Sequence, residues 1–239
     1  MCTVVVRVPE RPSEPVRVLA IRDEDPARPW RPAGAWWPDR YPGVRGVQDV
    51  RGGGAWLAVA DRSPRLAVLL NRADDGSVGE DAPSRGWLPL ETVAGRAPGP
   101  IPAPPTRGFN LVEATPDTVR VSSWDGQRFD SSALTPGTHM ISHDDVDDPR
   151  TARITRWLPA FRGAALPPGP AWYAPWLAIV ADSAELDPTD DEALIRDHRH
   201  LGIPTLSLLL CAVAIGPGRT DLVGAALPAP GRWGPIRLG

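Results

Sequence analysis

A cysteine stands at position 2, and the second apolar run of the chain ends in a cation and a carboxylate, Arg22-Asp23. A thiol is the strongest nucleophile among ordinary side chains. It needs a base, and a cation nearby lowers its pKa from about 8.5. An α-amine close to it could be that base, because its unperturbed pKa of about 7.7 to 8.0 leaves a useful neutral fraction at pH 7. Asn71, at the end of a later apolar run, is an amide that could point a donor at a developing oxyanion. Each residue also has a plainer use. Cys2 suits a buried strand as a small hydrophobe, Asp23 could pair with Arg22, and Asn71 could close a turn.

The elements that must position these groups are legible in outline. Cys2 to Val8 and Val16 to Ile21 are β-branched runs separated by Pro9, Pro12 and Pro15, which predicts a hairpin with a longer loop. Ala55 to Ala60 and Arg65 to Asn71 form a second strand pair, continuous enough in apolar character for burial on both faces. Asn110 to Ala114, Thr118 to Ser123 and Gln127 to Ser132 read as a meander with a tight turn at Asp125-Gly126. Thr138 to Ser142 adds a strand, and Thr205 to Ile215 and Asp221 to Leu227 close the set. Helices are expected over Leu88 to Ala94, Asp148 to Arg162, Trp172 to Ala184 and Thr189 to Leu201, the last with Thr189 as its cap. Arg22 to Arg51, rich in Pro, Gly and Trp, is expected to be an irregular cover over the core. Arg96 to Thr106 carries five prolines. Alone, this pattern gives a mixed α+β domain.

Composition excludes several classes. The chain has 239 residues, long enough for one sizeable core, and is read as a single domain over 1–239. A net charge of -3 argues against nucleic-acid binding driven by bulk charge. All 26 basic residues are arginine, and with 30 prolines and 23 glycines this points to a codon-composition bias. The longest apolar run, Leu206 to Ile215, is too short to cross a bilayer, so no membrane insertion is expected. Two cysteines allow one bridge at most, which fits a reducing, cytosolic location. The acidic run from Asp144 to Asp148 lacks the spacing of a calcium loop. Gly52-Gly53-Gly54 leads into a strand rather than a helix, so it is not a phosphate cradle, and no metal or cofactor is expected.

Six short motifs in order resemble the NRDE proteins, also called the transport-and-Golgi-organisation-2 family. They are Met1-Cys2, Ile21-Arg22-Asp23-Glu24 with Arg28-Pro29, Gly53-Gly54-Ala55-Trp56-Leu57, Leu70-Asn71, Ser84-Arg85-Gly86, and Gly108-Phe109-Asn110-Leu111 followed by Leu134-Thr135-Pro136-Gly137-Thr138 and Ser142. The chain departs from the family at Ile21 and His143, each in place of an asparagine. It also departs at Gly202 to Ser207, where the family's arginine is missing.

The resemblance implies the four-layer α/β/β/α sandwich of the N-terminal-nucleophile (Ntn) hydrolases. It further implies attack by Cys2 on a small amide or thioester once Met1 is removed, in a hydrolase of C–N bonds other than peptide bonds or an acyltransferase. Arg22 would assist the thiol, Asp23 would hold the α-amine, and Asn71 would face the oxyanion. Trp30, Trp36, Trp37, Asn110, Ser142 and His143 are the candidate substrate contacts, although Asn110 and Ser142 also suit polar strand ends and His143 a surface position. The alternative is a non-catalytic binding or trafficking protein for haem or an acyl-CoA or lipid, held under the tryptophan-rich segment.

Overall fold

The computed structural model of the chain describes residues 1–73, 82–101 and 104–239. The first hairpin forms as its runs require, with β1 (Thr3–Val8) antiparallel to β2 (Val16–Glu24). The chain then makes β3 (Trp30–Gly34), β4 (Val44–Asp49), β5 (Ala55–Ala60), β6 (Arg65–Asn71), α1 (Trp87–Val93), β7 (Phe109–Ala114), β8 (Val119–Trp124), β9 (Phe129–Ala133) and β10 (Gly137–Ile141). It ends with α2 (Ala152–Gly163), α3 (Ala174–Ser183), β11 (Leu206–Gly216) and β12 (Arg219–Ala226). Strands β10-β1-β2-β11-β12 form one sheet and β3 through β9, in sequence order, the other. Both are antiparallel throughout, and the class is α+β.

Strand alternation decides what each face meets. Val4, Val6, Val18 and Val213 of the five-stranded sheet pack against Leu57, Val59, Val68 and Val112 of the other, so the central core lies between the sheets. The outer face of the five-stranded sheet, with Val5, Leu19, Ile21 and Leu210, receives Ile154 and Phe161 of α2 and Trp176 and Val180 of α3. Phe161 and Trp176 meet edge to face, with ring centroids 5.7 Å apart. On the outer face of the seven-stranded sheet, Ala58, Ala67 and Leu111 meet Leu88 and Val93 of α1 together with Trp37 and Tyr41. Strands with partners on both faces cannot afford a polar side, which explains the long apolar runs of β5, β6 and, from Leu208 on, β11. Among the described residues no helix is long and apolar enough to cross a membrane.

Two expectations need correcting. Arg22 to Arg51 is not irregular throughout, since it carries β3 and β4. Pro32 is tolerated because β3 is an edge strand whose register slips between Arg31 and Gly34. Thr189 to Leu201 is not a helix, and only Arg199–Leu201 makes a single 3₁₀ turn. Thr189 does not cap. Its amide and hydroxyl both bond Asp187 Oδ1, at 2.8 and 2.6 Å, and Glu192 N donates to Asp190 Oδ1. Such side-chain bonds offer the backbone an alternative to helix. The proline-rich 96–106 segment forms no regular element among its described residues, and 102 and 103 lie outside them.

Candidate functional site

Register places the site. Thr3 pairs with Ile21 across β1 and β2, so Cys2, one residue earlier, falls beside Arg22 and Met1 beside Asp23. Alternation turns Cys2 toward the inter-sheet core, where it clusters with Val4 and Ala20. Asp23 turns to the opposite face and meets Ser207, its partner on β11.

The Cys2 sulfur accepts a hydrogen bond from Asp23 N at 3.3 Å and lies 3.5 Å from Asp23 O. Its own carbonyl accepts from Ser142 Oγ at 3.1 Å. The terminal amine of Met1 donates to Asp23 Oδ2 at 2.9 Å and lies 3.3 Å from each ring nitrogen of His198. Asp23 Oδ1 accepts from Ser207 Oγ at 2.6 Å, so both carboxylate oxygens are fixed. Arg22 is 2% exposed. It reaches Glu24 at 3.4 Å, and its Nη1 is buried with no hydrogen-bond partner among the described residues.

Electrostatics within this group oppose one another. Burial, then the charge of Asp23, pushes the Cys2 thiol above its ordinary pKa, while the terminal amine and Arg22 pull it down. The other thiol, Cys211, is pushed up to about 12 by burial.

His198 is fully buried, and its pKa is held down to about 4, chiefly by burial and then by the neighbouring amine. Arg196 Nε donates to His198 Nε2 at 3.4 Å. Arginine has no lone pair to offer, so the ring proton sits on Nδ1, 3.3 Å from Thr205 O. A histidine whose folded pKa lies below its unfolded value must take up a proton as the chain unfolds in mild acid. Stability therefore falls as pH drops from about 6.5 toward 4. With Met1 in place, the loss from this group between pH 7.5 and 5 is expected to be about 2 kcal/mol. Melting curves of wild type and His198→Gln at both pH values check it, and equal acid sensitivity in the two proteins would refute it.

Cys2, Arg22, Asp23 and Asn71 line one cavity of about 510 Å³, walled on the far side by Trp56 and the Ser84–Gly86 turn. Asn71 is exposed at the end of β6. Arg28 holds Asp49 with two hydrogen bonds, 3.0 and 2.5 Å, at the cavity rim. A larger groove of about 970 Å³ lies at the other end of the β1–β2 hairpin. It contains no cysteine, and its inner arginines Arg7 and Arg17 are engaged by carbonyls after α2, Ala164 O and Leu166 O. The smaller cavity is therefore where the chemistry points.

The other candidates lie elsewhere. Trp30 packs at the edge of the inter-sheet core, Trp36 donates to Pro32 O at 2.8 Å, and buried Trp37 donates to Gly53 O at 2.7 Å. None of the three lines the cavity. Asn110 Nδ2 donates to Ser142 O and Asp144 O at 2.9 and 2.7 Å, tying β7 to the loop after β10. Ser142 reaches Cys2 through its carbonyl rather than across the cavity. His143 stands beside Asp144 at 3.2 Å, its pKa held below the ordinary value by burial and by Arg153. In the acidic run, Asp145, Asp147 and Asp148 face Arg72, Arg162 and Arg150.

Sequence reasoning missed His198, Arg196 and Arg153, which approach the amino end from loops and a helix far along the chain. Ser207 alone left a trace, as a hydroxyl interrupting an apolar strand. No curated protein matches the chain. The family model described as Transport and Golgi organisation 2 matches residues 1–163, well over half of the sequence, and the chain belongs to that family.

Proposed function

We propose that this protein is a cytosolic, cysteine-nucleophile hydrolase or acyltransferase of the Ntn type, acting on a small amide or thioester. Its two sheets with helices on both outer faces are then read as the four-layer α/β/β/α sandwich. The observation that carries the reading is the meeting of Cys2, Arg22, Asp23 and Asn71 at one cavity, where Asp23 binds the amine of Met1, one residue before the amine that the mechanism uses.

In this mechanism Met1 is removed and the α-amine belongs to Cys2. The amine takes the thiol proton, and sulfur attacks the substrate carbonyl. The oxyanion is met by the Asn71 amide, and the leaving amine or thiol departs with the proton. Water, or an amine acceptor, then cleaves the acyl–sulfur bond. Asp23 holds the amine and Arg22 favours the thiolate. The alternative, haem or acyl-CoA held under the tryptophans, has less support because Trp30, Trp36 and Trp37 lie outside the cavity.

Intact-mass analysis tests the proposal. The purified chain is expected to lack Met1 and, on incubation with a small aryl thioester, to gain the acyl mass at Cys2. A retained Met1 with no adduct would refute it.

A further inference from the structure

Arg153 is placed where a purely structural arginine would be costly. It lies in the first turn of α2 and is 2% exposed. Its Nη2 donates to Ser142 Oγ and lies 3.4 Å from His143 Nδ1, while its Nε is buried with no hydrogen-bond partner among the described residues. The other buried guanidiniums of the site have carboxylates, Glu24 at 3.4 Å from Arg22 and Asp191 at 2.7 Å from Arg196. Arg153 has no carboxylate in contact among the described residues, and Asp23, Asp191 and the Cys2 sulfur act on it only from a distance. A buried cation without a counter-ion is expensive to maintain and is most readily explained where an anion must form.

The contacts indicate which anion. Ser142 Oγ accepts a hydrogen bond from the guanidinium and donates its own to the Cys2 carbonyl at 3.1 Å. The chain Arg153, Ser142, Cys2 thus fixes the main chain that carries the sulfur. Around that sulfur stand Asp23, the terminal amine and Arg22. On the flank of α2 and the loop before β11 stand His143, His198 and Arg196, and burial holds both histidines below their ordinary pKa.

We propose that Arg153 is a positioning residue for Cys2, holding its carbonyl through Ser142 and supplying the uncompensated positive charge that favours a thiolate. The inference rests on the reading of Cys2 as a nucleophile and adds to it a residue that the sequence motifs did not contain.

Iodoacetamide alkylation of the full chain, followed at the Cys2 peptide by mass across pH, tests both separately. The thiolate displaces iodide, forming the sulfur–carbon bond, and the thiol proton goes to solvent. Arg153→Met is expected to raise the pH midpoint of Cys2 labelling by about one unit and to slow labelling at pH 7.5 about tenfold. Arg153→Lys, which keeps the charge but loses the planar fork, should hold the midpoint within about 0.3 unit and slow labelling about threefold. Buried Cys211 serves as the internal control for folding. A reactive Cys2 whose midpoint is unchanged in Arg153→Met overturns this inference and leaves the nucleophile reading standing. A wild-type Cys2 that is inert at every pH removes both. Should Arg153→Met fail to fold, Arg153→Lys decides, and a wild-type labelling rate in it overturns the positioning role.

Discussion

Replacing Cys2 with alanine is expected to lower turnover of a small aryl thioester by at least about a thousandfold, because the group that forms the covalent bond is gone and no neighbour can substitute for it. The nearest side chains are Arg22, which cannot act as a nucleophile at neutral pH, and Asp23, whose two oxygens are bound by Ser207 and the terminal amine. The fold should survive. Cys2 lies one residue before β1, and alanine gives up only the sulfur and its two contacts with the main chain of Asp23. Cys211→Ala is the matched comparison. That thiol is 1% exposed in β11 and is not among the residues that line the cavity, and its loss should lower the melting temperature while leaving turnover intact. Rates and melting curves of the two variants measured side by side check the prediction. More than a tenth of wild-type turnover in Cys2→Ala would sink the covalent mechanism.

How far the sequence reached toward that cysteine follows from which interactions are local. Strands β1, β2, β5, β6 and β11 were legible because sandwiched strands are apolar on both faces, and such runs have few alternative explanations. The hairpin brought Cys2 to Arg22 and Asp23 by simple antiparallel counting, so that half of the site could be read from spacing. The segment with Trp30 and Pro32 was misread because a proline argues against a strand only in the middle of a sheet, and whether a strand lies at the edge is a tertiary fact. Thr189 looked like a helix cap because its type and the acids after it fit one. Asp187 and Asp190 captured the same amides in turns instead. His198 left no local trace at all. Its contact with the terminal amine spans 197 positions, and nothing within its own loop distinguishes it from a surface histidine.

The glycine motif before β5 shows the same divide, and it yields the second large effect. Gly54→Ala is expected to destabilise the protein by about 3 kcal/mol, on the order of a 10 °C fall in melting temperature for a chain of this size. The sequence indicated only that Gly52-Gly53-Gly54 enters a strand. In the structure a β-carbon on Gly54 would stand 2.3 Å from the carbonyl carbon and 2.4 Å from the oxygen of Gly86. Those atoms are main chain, and Gly86 O is held by Ala55 N at 2.7 Å while Gly54 O accepts from Asp49 N at 3.0 Å. No rotamer change can relieve the overlap. The Ser84–Gly86 turn must move as a unit, and it forms a wall of the Cys2 cavity, so the damage should also reach the site. Gly53→Ala separates crowding from conformation. Gly53 has a φ of +68° but nothing within 4 Å of a β-carbon, so its cost is the left-handed backbone alone, roughly 1 kcal/mol. Thermal melts of the two variants should therefore differ by several degrees in that order. Gly54→Ala melting no lower than Gly53→Ala would mean that the backbones of Gly54 and Gly86 are not in contact, and that the cavity wall is built some other way.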